Sequence, residues 1–234
     1  MKIKSQKLNA LCVATTIALG GAAVPSIAAA GASASVGVAN MYLWRGQNLT
    51  QDGAQVHGGI EFSSEMGLYG GVWTTTETGG HETDLYVGFG GSVGDFGYDI
   101  SYWSYQYPED GAGTDEDGMG DQDFADLVLS GSYGPVTVAA YLQMEAPTGT
   151  DSDADENNYF TISGDFGKYS LTYGMWDLED PDSGDEYSHL TLMYGATDEV
   201  TVGISKAFSD ADDDEDGVEE DPLFYVGYDL SFDL

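Results

Sequence analysis

The chain has 234 residues, of which 41 are acidic and only six are lysine or arginine, and its formal charge at pH 7 is −35. Nucleic acid is excluded as a partner, because its phosphates would be repelled. After residue 30 the only bases are Arg45, Lys168 and Lys206, so the remaining chain carries a formal charge of −38. A charge of this size must be spread into solvent or screened by cations.

The first thirty residues have the pattern of a secretory signal peptide. Three lysines precede a long apolar stretch, which a run of small residues follows. This order predicts export and cleavage after Ala30, or after Ala34, where the Ala-x-Ala pattern recurs. Cys12, the one cysteine, lies in the removed segment, so no disulfide is expected. We therefore expect a signal peptide at residues 1–30 and a single domain at residues 31–234.

The rest of the chain predicts strands. No later stretch approaches the roughly 20 apolar residues that a membrane helix needs. Apolar residues instead recur at every second position, as where Val56, Ile60 and Phe62 alternate with polar neighbours, which is typical of strands with one apolar face. The sequence predicts an all-β protein, a transmembrane antiparallel up-and-down β-barrel of about twelve strands. The strands are expected near residues 35–44, 54–63, 68–75, 82–93, 97–107, 123–133, 136–145, 158–165, 169–176, 187–194, 200–208 and 223–234.

Short and long connections alternate between these strands. The tight turns are expected at residues 64–67, 94–96, 134–135, 166–168 and 195–199. The other connections are mostly long, and four of them hold 26 of the 41 acidic residues. These four loops are residues 108–123, 146–157, 177–186 and 209–221. Because outer-membrane barrels combine short periplasmic turns with long extracellular loops, we expect acidic extracellular loops and the outer membrane of a Gram-negative bacterium.

The last predicted strand is apolar at every second position up to the final residue. Its apolar positions are Phe224, Val226, Tyr228, Leu230, Phe232 and Leu234. This pattern resembles the C-terminal insertion signal of outer-membrane barrels, although that signal usually ends in Phe. The barrel-assembly machinery and outer-membrane lipid are therefore expected partners.

Aromatic residues cluster near the predicted strand ends. They are Tyr42, Trp44, Tyr69, Trp73, Trp103, Tyr105, Tyr107, Trp176 and Tyr194. Such residues form girdles where a barrel meets the membrane interface. We expect that role here, with the alternative that aromatic residues simply favour strands.

Several segments in the first half of the exported chain resemble a known family in order and spacing. They are Tyr42-Leu43-Trp44-Arg45-Gly46-Gln47, Gly67-Leu68-Tyr69-Gly70-Gly71-Val72-Trp73, Glu82-Thr83-Asp84-Leu85-Tyr86-Val87-Gly88, and Tyr98-Asp99-Ile100 with Tyr105-Gln106-Tyr107-Pro108. They resemble the TorF family of hypothetical bacterial porins, which implies an outer-membrane location and a pore. Beyond residue 108 mainly the hairpin rhythm is similar. The resemblance supplies no catalytic residue and no transported solute.

Charged residues on the predicted inward faces are candidates for lining a pore. The acidic candidates are Glu61, Asp84, Asp99, Asp126, Glu145 and Asp229. Inside a barrel they would set ion preference, whereas on the lipid face they would be costly; the alternative is a place in a solvated or hydrogen-bonded plug. Arg45 has two interpretations. It is either a constriction charge at the pore mouth, paired with carboxylates such as Glu82 or Asp84, or a strand-end anchor that binds loop carbonyls or lipid phosphate, and we favour the anchor.

One acidic segment resembles a calcium-binding loop. Asp212, Asp214 and Asp216, followed by Gly217, match the first half of an EF-hand loop. The twelfth position is Leu223 instead of glutamate, so the alternative is a hydrated loop suited to a saline environment. Apart from this Ca²⁺ no cofactor is expected. The three histidines are scattered and no triad spacing occurs, so we expect no enzyme.

Two functions compete at this stage. The first is a channel for passive diffusion of small solutes, with a preference for cations. The second is a barrel that does not conduct and whose acidic loops bind divalent cations or a basic partner. A barrel of about twelve strands is narrower than the larger porins, so its inward side chains could close it.

Overall fold

The computed structural model of the protein describes residues 30–51, 53–78, 80–107, 124–145, 158–177, 187–209 and 218–234. The predicted signal peptide up to residue 29, most of the four acidic loops and the side chains of Phe124 and Glu145 lie outside the described residues. Within these residues the chain forms fourteen strands. They are β1 (Gly31–Ala39), β2 (Leu43–Trp44), β3 (Gln47–Asn48), β4 (Gln55–Ser63), β5 (Leu68–Glu77), β6 (Gly80–Val93), β7 (Phe96–Gln106), β8 (Phe124–Tyr133), β9 (Val136–Glu145), β10 (Asn158–Phe166), β11 (Tyr169–Asp177), β12 (Tyr187–Gly195), β13 (Val200–Ser209) and β14 (Leu223–Asp233). In the described part of the chain, no helix has the length and apolar character to cross a membrane.

Twelve of the strands form one closed antiparallel barrel. β1 closes the ring by pairing with β14, in a register that sets Val36 opposite Leu230. On its other side β1 pairs with β4, while β2 and β3 leave the wall and form a separate two-stranded sheet. The predicted fold class, an up-and-down antiparallel barrel of the outer-membrane type, is confirmed.

Side chains alternate between the two faces of the barrel wall. In β6 the outward Leu85, Val87 and Phe89 are 45%, 51% and 43% exposed, whereas the inward Glu82 and Asp84 are buried. Exposed apolar side chains recur in this way around the ring. Because a soluble monomer rarely exposes a continuous apolar surface of this extent, the exterior is that of a membrane-spanning barrel.

The connections separate into two rims. Five short turns lie at one rim, which we call the short-turn rim, and four of them contain a glycine with positive φ: Gly67, Gly94, Gly134 and Gly167. Both ends of the barrel lie there too, since the amide of Leu234 donates to the carbonyl of Ala32 at 2.9 Å. The long connections lie at the opposite, long-loop rim. There the connection of β5 to β6 is short, because these strands extend to Glu77 and Gly80.

The predicted end of the first strand, at residue 44, is wrong, because β1 stops at Ala39 and the chain then turns into the barrel. Asn40 explains the departure. Its Nδ2 donates to the carbonyl of Phe224 at 2.7 Å, and its Oδ1 accepts from the amide of Val226 at 2.8 Å. The side chain of Asn40 thus forms hydrogen bonds to the backbone of β14 that the main chain of a continuing strand would otherwise have formed. Residues 40–54, which we call the insert, enter the lumen from the long-loop rim.

The predicted aromatic girdle is wrong for several of the residues assigned to it. Tyr42, Trp73, Trp103 and Tyr105 are at most 8% exposed and lie inside the barrel. The wall residues among them are near strand ends but on the inward face, where they pack around the insert. Exposed aromatic side chains near the short-turn rim are instead Phe62, Phe96, Tyr133, Phe166, Tyr169 and Phe232.

Candidate functional site

The tip of the insert is a tight hairpin turn. Trp44 pairs with Gln47 at the end of the β2–β3 hairpin. Arg45 and Gly46 are therefore the two turn residues, and their φ angles are 46° and 89°. Positive φ at both positions is the conformation of a type I′ turn, for which a glycine at the second position is favourable. A Cβ on Gly46 would lie 2.5 Å from Cγ of His189, so the turn presses directly on the wall.

Hydrogen bonds hold the insert to separate parts of the wall. The hydroxyl of Tyr42 donates to Oε1 of Glu82 on β6 at 2.8 Å. The other oxygen of Glu82 accepts from the hydroxyl of Tyr107 at 2.8 Å. On β12 the hydroxyl of Tyr187 donates to the carbonyl of Arg45 at 3.0 Å. The base and the tip of the insert are therefore both anchored.

Arg45 ends in a box of aromatic rings and one carboxylate. The side chain is 2% exposed, and its guanidinium forms a salt bridge with the carboxylate of Asp126. Four ring centroids lie 4.3 to 4.9 Å from its Cζ. This arginine box consists of Asp126 on β8, Tyr141 on β9, Tyr159 on β10, Trp176 on β11 and Trp44 of the insert. Because β8 stands five places from β1 in the ring of twelve, Arg45 reaches across the lumen.

The ionisation states of Arg45 and Tyr42 suit the contacts that these side chains make. Burial acts to lower the pKa of Arg45, but Asp126 and the neighbouring phenols raise it more strongly, so the guanidinium stays charged. Its Cζ lies within cation–π distance of the four rings, while one of its N–H groups donates to the carboxylate. Burial, followed by the charge of Glu82, raises the pKa of Tyr42 and keeps this phenol a donor. The pKa of Tyr107 is raised for the same two reasons.

The predicted pore-lining acids whose side chains the structure describes point into the lumen at two levels. Toward the short-turn rim, Glu61 accepts from the hydroxyl of Tyr86 at 3.1 Å. Asp99 accepts from the hydroxyl of Tyr69 at 2.9 and 3.0 Å. Toward the long-loop rim, Asp84 is 2% exposed, and its Oδ1 has no hydrogen-bond partner among the described residues. The interior therefore carries carboxyl groups at both levels.

Two buried histidines lie on the inward face of the wall, His57 on β4 and His189 on β12. Nε2 of His57 is 2.8 Å from Oδ1 of Asp229, and a Cβ on Gly37 would lie 2.3 Å from that oxygen. Nε2 of His189 is 2.6 Å from the hydroxyl of Tyr159, which belongs to the arginine box. Neither His57 nor His189 forms a hydrogen bond to a serine in the described part of the chain.

The lumen differs between its two ends. At the level of the insert the inward side chains are almost fully buried, and Gln55, Tyr159 and His189 are 0% exposed. Nearer the short-turn rim some inward side chains, such as those of Ser35 and Ser163, are partly exposed. The insert therefore fills the long-loop half of the lumen, whereas solvent reaches the other half.

Some candidate residues cannot be placed. Asp212, Asp214 and Asp216 lie outside the described residues, as does the side chain of Glu145. Among the residues that are described, no three or more His, Cys, Asp or Glu side chains are grouped so as to hold a metal ion. The outward apolar row of β14, from Phe224 to Leu234, is mostly exposed, as the alternation predicted.

Neither interpretation of Arg45 describes its actual place. It pairs with Asp126 instead of Glu82 or Asp84, and it is no strand-end anchor because β1 ends at Ala39. Inward positions followed from the period of the strands, but the aromatic members of the box were missed. The available signal was that inward aromatic residues occur at the same end of three consecutive predicted strands.

A closed ring with an apolar exterior and a polar, partly filled interior defines a transmembrane β-barrel of the outer-membrane type. Within this class, the chain belongs to the family described as "Bacterial protein of unknown function (Gcw_chp)", whose model matches residues 25–220. No curated protein sequence matches the chain.

Several solved structures have a similar fold. One comes from work on the in-meso crystallization of membrane proteins; it is 17% identical, with a TM-score of 0.52, and the match covers 86% of this chain and 84% of the other. The KdgM porin is 10% identical, with a TM-score of 0.48, covering 86% and 99%. Outer membrane phospholipase A from Escherichia coli is 11% identical, with a TM-score of 0.42, covering 86% and 89%. At these identities the similarity concerns the fold alone.

Proposed function

We propose that the protein is an outer-membrane channel for passive diffusion of small solutes, with a preference for cations. The observation that carries the proposal is the charge of the lumen. Glu61, Asp99 and Asp229 face it near the short-turn rim, while Arg45 is the only lysine or arginine among the described residues that lies inside. Carboxylates lining a narrow path raise the local concentration of cations and repel anions.

The surface of the barrel supports the proposed location in the outer membrane. Its apolar exterior suits lipid, and its alternation of short and long connections agrees with short turns in the periplasm and long loops outside the cell. The resemblance to the TorF family of hypothetical porins supports the same assignment. In this arrangement the insert closes the channel from the extracellular side, so conduction requires the insert to move.

Reversal potentials across a KCl gradient in planar bilayers test the ion preference. Wild-type protein is compared with a variant in which residues 42–50 are replaced by a short Gly-Ser linker, which opens the filled half. We expect cation selectivity that is strongest in dilute salt, because the field of the rim charges reaches only about 10 Å at 0.1 M salt. Asp99→Asn should reduce the selectivity at every ionic strength, since this side chain lies inside the lumen.

Asp198→Asn is the matched control, because it removes the same charge from an exposed position in the turn between β12 and β13. It should leave the selectivity almost unchanged at high salt. An anion-selective or unselective channel in dilute salt would contradict the proposed cation preference.

The second candidate is a barrel that does not conduct and whose acidic loops bind divalent cations or a basic partner. The filling of the long-loop half by the insert favours it. The linker variant separates the two functions, since a barrel that acts only as an anchor should carry no current even without the insert. Calcium titration of the same protein, followed by circular dichroism, would then report on the loops.

A further inference from the structure

The arginine box is built mostly by the wall. Asp126, Tyr141, Tyr159 and Trp176 come from four consecutive strands, and only Trp44 belongs to the insert. The cation inside the box, by contrast, belongs to the insert and not to the wall. If the insert left the lumen, a carboxylate and three aromatic rings would remain on the wall, spaced for a flat cation.

Hydrogen bonds behind the box hold its rings in position. Nε1 of Trp176 donates to the hydroxyl of Tyr187 at 2.7 Å, and the hydroxyl of Tyr159 lies 2.6 Å from Nε2 of His189. The hydroxyl of Tyr105 donates to Oδ2 of Asp126 at 3.1 Å. Side chains fixed in this way lose little freedom when a ligand binds, so the wall part of the box is preorganised.

We propose that the wall of the arginine box is a binding site for small solutes that carry a guanidinium group, and that Arg45 occupies it as an internal competitor. The proposal rests on the proposed channel function for the passage of such solutes, but the binding itself does not depend on ion flow. A solute that displaces Arg45 removes the contact at the tip of the insert and favours its release from the lumen.

The chemistry of the box selects guanidinium over ammonium. A guanidinium is planar and has several N–H donors, so it can lie close to the rings of the wall and still donate to Asp126. It is also more weakly hydrated than an ammonium, which reduces the cost of burying it. An ammonium group is a compact, strongly hydrated point charge, so burying it beside the rings of Tyr159 and Trp176 costs more.

Isothermal titration calorimetry with methylguanidinium chloride on the detergent-solubilised protein tests the site, with ionic strength held constant by NaCl. Arg45→Gln removes the internal competitor while retaining a planar amide in the turn. This variant should bind methylguanidinium at least about tenfold more tightly than the wild type. Adding Asp126→Asn to it should weaken binding by about tenfold or more, since the buried carboxylate is lost. Methylammonium chloride is the control probe and should bind more weakly to Arg45→Gln.

Equal affinity of Arg45→Gln and the double variant for methylguanidinium, or no preference over methylammonium, would overturn the proposal. If Arg45→Gln does not fold, Leu49→Cys in the otherwise unchanged chain provides the second test. Methylguanidinium should accelerate maleimide labelling of this partly buried position in the insert, and NaCl of equal strength should not; no acceleration overturns the proposal. A protein that binds methylguanidinium without conducting contradicts the channel alone, and one that conducts without binding contradicts only this site.

Discussion

Arg45 combines a strained backbone with a favourable surrounding. A residue with a Cβ at positive φ costs roughly 1–2 kcal/mol, and Arg45 has a φ of 46°. Breaking a buried ion pair by removing one partner costs about 3–5 kcal/mol, and Arg45 has Asp126 and four rings as partners. The contacts therefore outweigh the strain and hold the turn in this conformation.

Gly46→Ala should loosen the tip of the insert without unfolding the barrel. The new Cβ meets the ring of His189 and the φ of 89° is unfavourable for alanine. We expect the substitution to lower the stability of the docked insert by about 1–3 kcal/mol relative to the released insert. Arg45 is a trypsin site, and cleavage there should accelerate roughly 5- to 150-fold if it requires release of the insert. Mass spectrometry of the fragments measures the rate.

Gly53→Ala is the matched control within the insert. Its Cβ would meet the carbonyl oxygen of Thr50 at 3.1 Å, an atom of the same loop that can shift by a few tenths of an ångström. Cleavage after Arg45 should then stay close to the wild-type rate. Equal acceleration in both variants would contradict the role assigned to the contact with His189.

At the scale of elements, the strands and the insert follow different rules. Each strand presents alternate residues to lipid and lumen, so its side chains are sorted by period alone. Burial in the insert does not alternate in this way, since Tyr42, Leu43 and Arg45 are all about 2% exposed inside the lumen. Its stability therefore depends on contacts with the wall more than on its short hairpin.

Ile162→Arg should destabilise the barrel by roughly 2–4 kcal/mol, because the position is 50% exposed on the lipid face of β10 and lies near its middle. The neighbouring Ser163 faces the lumen in the half nearer the short-turn rim, and its side chain is partly exposed. Ser163→Arg introduces the same side chain next to water and should cost much less. Urea unfolding of both variants in lipid vesicles compares the two faces. Equal losses of stability would indicate that the outward face does not meet lipid.

At the scale of the whole molecule, the apolar outer wall is separate from the acidic loops at one rim. Apolar side chains surround the wall, while the loops with most of the acidic residues leave from the long-loop rim. The barrel thus keeps its formal charge away from the lipid-facing wall, where burying it would be costly. This arrangement leads to a test of orientation in the cell.

Single cysteines should report which rim faces outside, since residues 31–234 contain no cysteine. Ser152→Cys and Ser183→Cys lie in the connections that follow β9 and β11 and should react with an impermeant maleimide on intact cells. Asp95→Cys and Thr197→Cys lie in turns of the short-turn rim and should react only after the outer membrane is opened. Labelling of the second pair on intact cells would reverse the orientation.

The sequence by itself determined the wall of this protein. Alternation with a period of two fixes which face of a strand is apolar, so the strand order, the short turns and inward acids such as Asp99 and Asp229 were predictable from local patterns. These features depend on residues that are neighbours in the chain. The end of the first strand was not predictable in this way, because Asn40 ends it through bonds to β14.

Only the tertiary structure decided what fills the lumen. Arg45 and Asp126 are 81 residues apart, and the rings around the guanidinium come from three further strands. Tyr42 and Trp73 look like girdle residues by position, yet they are buried because the insert carries Tyr42 into the lumen, where it packs against Trp73. The reason is physical: a period of two states that a side chain points inward, but whether it then meets water or another segment depends on the closure of the ring and the path of the insert.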